Sequence, residues 1–175
     1  MRYETTAKEC TFTEKRMDIS NLQKEAALKK PVWEKWFRKN KQRLMKMDRE
    51  IALLHDEAVA ATDCLACGNC CRSLGPMILT ADIDLMSKEL RMKPAVIIDR
   101  YLQYDEEGDM VFRSMPCPFL GEDNYCSIYE SRPRACRAYP HTNRKKFYQI
   151  YALSVKNAET CPIVFRVLNK LTAGE

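Results

Sequence analysis

The chain has 175 residues, with 46% hydrophobic and 30% charged residues and a net charge of +5. This is a globular composition with length for one domain plus a helical appendage, and it excludes a disordered or fibrous chain. Only 5 glycines argue against a turn-dense β fold, and no apolar run approaches the ~20 residues that span a bilayer.

The N-terminal stretch MRYETTAKECTFTEKRMD has no hydrophobic segment like a secretory signal, so a cytoplasmic location is expected. Residues 1–12 read as irregular, and a weak helical pattern runs from Thr13 to Lys30. Pro31 suits a first helical turn. From there Phe37, Leu44, Ile51 and Ala58 recur every seven residues. Trp33, Met47, Leu54 and Ala61 follow a second track whose polar member is Asn40. Two such tracks predict one long amphipathic helix over 31–61, with a stripe that needs a partner. The candidates are the 13–30 segment, the C-terminal helix, or a protein partner, including a second copy.

Residues 29–49 carry nine Lys/Arg against Glu34 and Asp48. Acids and apolar residues interleave with them and no base-reading motif is present. A solvated face is therefore expected rather than nucleic-acid binding. Trp33 and Trp36 are read as core or helix-packing residues, and His55 as a partly solvated helix residue.

After the cysteine-rich segment that starts at Asp63, a helix N-capped by Thr80 is expected, then another with Pro94 in its first turn. LQYDEEGDMVFRS predicts two short strands around a turn at 106–108. CPFLGEDNYCSIY predicts a second hairpin with Cys117 and Cys126 at its ends. One helical turn is expected around Cys136, helical spacing around Phe147–Val155, and a last helix opened by Cys161–Pro162. The fold class is thus α-rich, a helical domain with short β-hairpins. An N-terminal helical segment spans 1–60, and a cysteine-cluster domain spans 61–175.

Nine cysteines are present, and DCLACGNCCRS holds Cys64, Cys67, Cys70 and Cys71. In a reducing compartment such clustering points to metal rather than disulfides. Cys64-x-x-Cys67-Gly68 resembles half a zinc knuckle, with Gly68 free to take positive φ. Cys64, Cys67 and Cys70 also have the spacing that wraps three irons of a cubane, and Cys117–Pro118 and Cys161–Pro162 have the form of its fourth ligand. In an extended backbone the adjacent Cys70 and Cys71 point to opposite sides and suit two different centres. Setting Cys10 aside leaves eight thiols, enough for two four-sulfur sites, so one or two centres are expected, with Cys71 supplying the second or shielding and modulating the first. Arg134 and Arg137 flank Cys136 and are expected to neutralise sulfur charge, bind an anion, or lie as plain surface charge. His141 is expected to support the sulfurs from behind rather than serve as an alternate ligand or proton carrier, and Asn69 to hydrogen-bond a sulfur or favour the turn.

The quartet, followed by PCPFL, YCSIYESRPRACRAYP and CP in order, resembles the cysteine-cluster family named CxxCxxCC, known as zinc- or iron-chelating domains. The resemblance covers about residues 60–170. It implies metal binding by Cys64, Cys67, Cys70, Cys71, Cys117, Cys126, Cys136 and Cys161, with zinc or an iron–sulfur cluster as cofactor. A distant branch resembles flagellin lysine N-methylases. It implies the alternative of an iron–sulfur enzyme that uses S-adenosylmethionine to modify a protein or small molecule. A third reading is a basic helical adaptor with a structural metal domain. There is no Gly-rich phosphate loop and no defensible Ser/His/Asp arrangement.

Overall fold

The computed structural model describes residues 19–173. The irregular start expected at 1–12, the beginning of the helix expected from Thr13, and Cys10 lie outside the described residues.

The chain is α-rich with a minor β component. Helix α1 runs from Ile19 to Leu44 straight through Pro31, and α2 from Asp48 to Ala60. The helix boundary expected at Pro31 is therefore absent. The actual break falls at 45–47, so the single 31–61 helix is two helices. A proline already holds a helical φ, and its cost is the lost N–H and crowding against the preceding turn. Leu22 and Ala26 before it and Trp33 and Trp36 after it are all buried in one core, and that shared burial carries the helix across.

The seven-residue tracks do mark the buried face. Leu44, Ile51 and Ala58 are buried, and Phe37, Met47 and Leu54 pack against the same core. Of the three kinds of partner expected for the stripe, α9 (Pro162–Thr172) packs on both α1 and α2. Trp33 meets Phe165 edge-on at 5.6 Å, and Phe37 stacks on Tyr151 of α8 (Tyr151–Asn157) at 4.6 Å. The N-terminal and C-terminal helices thus share one core.

A second core lies in the middle of the chain. Helix α5 (Thr80–Leu90) and α6 (Pro94–Tyr101) precede an antiparallel pair, β1 (Leu102–Tyr104) and β2 (Met110–Phe112), as expected. Thr80 is the first residue of its helix rather than the cap. The capping carboxylate is Asp82, whose Oδ2 accepts from Leu79 N at 3.0 Å. Ile83, Met86, Ile97, Leu102, Phe112 and Phe119 fill this core. The second hairpin is reduced to one bridge, Leu120 with Cys126, beside a turn in which Asn124 takes positive φ. The turn around Cys136 is a short helix, α7 (Arg134–Ala138), reached through a 3₁₀ turn at Tyr129–Ser131.

Polar ties join distant segments. Asp48, in the first turn of α2, accepts from Lys146 N at 2.6 Å and Phe147 N at 3.1 Å. His55 Nδ1 and Thr142 Oγ1 are 2.7 Å apart. His55 is thus a helix residue tied to the 139–146 loop. Replacing Asp48 with Ala is expected to cost about 1–2 kcal/mol, the loss of two charge-assisted bonds at a partly solvated site. Urea unfolding of Asp48→Ala against the parent chain measures it.

Candidate metal centre

The segment 63–73 folds as two short helical turns hinged at Gly68. Asp63 Oδ1 accepts from Leu65 N and Ala66 N and starts α3 (Cys64–Cys67), while α4 spans Asn69–Ser73. Gly68 has φ +58, and a Cβ there would collide with the Arg72 guanidinium and the Asn124 amide. Those groups bond across the turn: Arg72 donates to Cys67 O and to Asn124 Oδ1, and Asn124 donates to Leu65 O. Cys70 and Cys71 therefore sit on helical rather than extended backbone. Their sulfurs are 3.9 Å apart, within reach of an S–H···S hydrogen bond, instead of pointing to opposite sides.

Two ties bring other cysteines to this turn, and a third anchors the helix of Cys136 on α5. Asn69 Nδ2 donates to Thr160 O at 2.8 Å, which fixes Cys161 beside Cys70; Asn69 thus bonds a carbonyl. Cys117 N donates to Cys71 O at 2.8 Å. Arg134 N, at the start of α7, donates to Asp82 Oδ1 at 2.8 Å and anchors the helix that carries Cys136. Cys161 belongs to the first core, whereas Cys117 and Cys126 pack on the second. The thiols lie where the two cores meet.

The charges that the thiols exert on one another divide them. Cys71, Cys117, Cys126 and Cys136 all act on each other, in every one of their pairings. Cys64 acts with Cys67, Cys70 and Cys161, and Cys70 with Cys161. The two sets touch only through Cys71, which Cys64 and Cys70 both feel. Among the described residues, no three His, Cys, Asp or Glu side chains are gathered, as placed, closely enough to hold one ion.

Burial pushes the Cys136 thiol up to about 12, with Cys117, Cys71 and Cys126 adding to it. Burial pushes Cys117 up to about 11, opposed by the N–H of Phe119. It likewise pushes Cys161 up to about 11, opposed by the N–H groups of Val164 and Ile163 at the start of α9. Cys64 and Cys126 are also raised, chiefly by burial. Cys71 falls to about 6, because Cys70 donates to it and Arg132 and Arg72 face it; Cys70 is raised correspondingly.

Arg132 and Arg72 are the cations whose charge reaches these thiols, Arg132 acting on three of them. The Arg132 guanidinium lies 3.4 Å from the Tyr129 ring centroid, its Nε donates to Tyr129 O, and its charge acts on Cys71, Cys126 and Cys136. Of the flanking arginines, Arg137 donates to Arg132 O, and Arg134 is tied through its backbone to Asp82. His141 stands edge-on to Tyr139 at 5.9 Å, and burial lowers its pKa. Tyr139 itself went unmarked in the sequence. Its hydroxyl is buried without a well-formed hydrogen bond and stands against Cys161, with Cys70 and Cys67 near.

An all-sulfur donor set, half-buried and gathered from five segments, suits soft or borderline cations such as zinc and iron. Together with the helical scaffold it defines a cysteine-cluster protein. Residues 63–162 match the family CxxCxxCC, described as "Putative zinc- or iron-chelating domain". That match covers more than half of the chain, and the chain belongs to this family. The family description supports chelation of zinc or iron. No curated protein and no solved structure matches the chain. Among the described residues, no helix is long and apolar enough to cross a membrane.

Proposed function

We propose that the protein is a metal-chelating module that holds two zinc or iron ions, each by four thiolates. Cys71, Cys117, Cys126 and Cys136 form one set, and Cys64, Cys67, Cys70 and Cys161 the other. What supports this reading is the pair of ties that bring Cys117 and Cys161 to the 64–71 turn, with the mutual charge effects of the eight thiols falling into two fours.

As free thiolates the eight sulfurs would repel one another in a half-buried site. A bound cation supplies the positive charge that keeps them deprotonated together. The protein contributes arrangement and charge. Gly68 turns α3 against α4, Arg72 and Asn124 lock that turn, and Arg132 eases negative charge on three of the sulfurs. Closing each set around an ion requires cysteine side chains to rotate between staggered positions while the backbone ties hold.

Anaerobic purification followed by elemental analysis tests this. Two ions per chain are expected, and Cys136→Ala and Cys161→Ala should each lose one. Elemental analysis also assigns the metal, and acid-labile sulfide distinguishes a cluster from single ions. A folded chain that takes up no metal overturns chelation. Loss of all metal in either single variant overturns the two-centre arrangement.

A further inference from the structure

Two basic segments far apart in sequence meet at one corner of the fold. Asp48, in the first turn of α2, holds the backbone N–H groups of Lys146 and Phe147, and the His55–Thr142 contact ties the same loop two turns further along the helix. Arg144, Lys145 and Lys146 are thereby set against the α1–α2 turn, which carries Arg43, Lys46 and Arg49, and all six side chains are exposed. His141 and Lys146, at the two ends of the loop, both take the left-handed backbone conformation, with φ +65 and +59. Residues with a Cβ disfavour that region, so the ties to α2 rather than local preference hold the loop in this shape.

The corner is left unneutralised. Among the described residues, the ion pair Lys170–Glu57 lies at the far end of α2, and none of the six cations has a carboxylate partner. Both oxygens of Asp48 are taken by the two N–H groups. Glu50 falls about 200° around α2 from Asp48, turned away from the loop. On α1, Lys39 stands one turn before Arg43 and extends the positive row away from the corner.

Like charges held together repel, and an anion brought to them relieves that repulsion. A single small anion needs donors that converge on one point, whereas these cations are spread over a turn, a loop and the end of α1. Among the described residues, Met45 is the one large apolar side chain exposed in the α1–α2 turn and the 143–146 loop, which is too little to enter a bilayer. We propose that this corner docks the phosphodiester backbone of a nucleic acid, independent of base sequence. Trp33 and Trp36 are buried, so phosphate contacts rather than base stacking carry the docking. Each basic segment alone reads as a solvated face, and the fold adds their juxtaposition.

Fluorescence anisotropy of the full-length chain with a labelled single-stranded oligonucleotide of mixed sequence, run between 50 and 200 mM salt, tests this. Affinity is expected to fall about a hundredfold across that range, as about five phosphate contacts require. A variant combining Arg144→Gln, Lys145→Gln and Lys146→Gln should lower affinity at 50 mM salt at least tenfold and reduce the slope of log affinity against log salt by about two. Lys46→Gln with Arg49→Gln should weaken binding in the same sense, whereas Lys88→Gln with Lys93→Gln, exposed on the other core, should leave it within about twofold. The melting temperature and metal content of all three variants should match the parent, since none of the substituted corner side chains is hydrogen-bonded within the fold. No binding at 50 mM salt, affinity that salt does not change, or an equal loss in the Lys88/Lys93 variant overturns the proposal. Capture by phosphatidylserine-containing vesicles without binding to the oligonucleotide overturns it in favour of a membrane surface.

Discussion

Replacing Asp82 with Ala is expected to destabilise the protein by about 3–5 kcal/mol, since a buried carboxylate that accepts two backbone N–H bonds leaves both donors unpaired when removed. Asp82 is 2% exposed. Its Oδ2 caps α5 at Leu79 and its Oδ1 holds Arg134 N, the first residue of the helix carrying Cys136. One side chain thus supports both a helix end and a cysteine. Asp82→Asn keeps one acceptor but turns an amide N–H toward a second donor, so it should recover roughly half the loss. Thermal unfolding of metal-free and metal-loaded chains measures both variants. The Ala variant should also weaken metal binding at the Cys71 set, because α7 loses its anchor. An Asp82→Ala protein as stable as the parent would show that the carboxylate is not the tie described.

Metal affinity at the Cys71 set is expected to rise about a thousandfold per pH unit near neutrality, or about 4 kcal/mol per unit, because three thiols must lose protons when the ion binds. The sign follows from the free thiols. Cys117 is pushed up to about 11, Cys136 to about 12 and Cys126 in the same direction, so all three stay protonated at pH 7. Cys71 is lowered by the Cys70 S–H and by Arg132 and Arg72, so it contributes least to the proton release. Affinity is therefore lost as pH falls. Competition titrations at closely spaced pH values, run on Cys161→Ala to isolate this set, give the slope. Calorimetry in buffers of different ionisation enthalpy counts the protons directly. A slope near zero would mean that the sulfurs are already ionised and that burial has not raised them.

The parts of this architecture that were legible in the sequence are those set by local rules. The seven-residue tracks marked the buried faces of α1 and α2, the Gly108 turn marked β1 and β2, and Pro94 and Pro162 marked helix starts. The break at 45–47 was not legible. Helix propensity there is uninterrupted, and the chain turns because α2 must return along α9. Pro31 misled in the opposite sense, as tertiary burial on both sides outweighed a local signal. At the thiols, the quartet and its Gly68 hinge were readable from spacing. Arg132, Arg72 and Tyr139 were not, since which way each side chain turns is set by the fold: Tyr139 meets Cys161 from another segment, and Arg132 and Arg72 converge on Cys71 from two different turns. Only the folded contacts reveal that Arg132 rather than Arg134 or Arg137 delivers its charge to Cys71, Cys126 and Cys136.

The family match closes at Pro162, where α9 begins. Beyond that point Val164, Phe165, Val167 and Leu168 are buried with Trp33, Leu44 and Ile51. A fragment cut to the matched limits would leave Tyr151, Val155 and Cys161 facing water where α1, α2 and α9 now cover them. The thiol-bearing segment thus borrows its inner wall from helices outside the recurring motif.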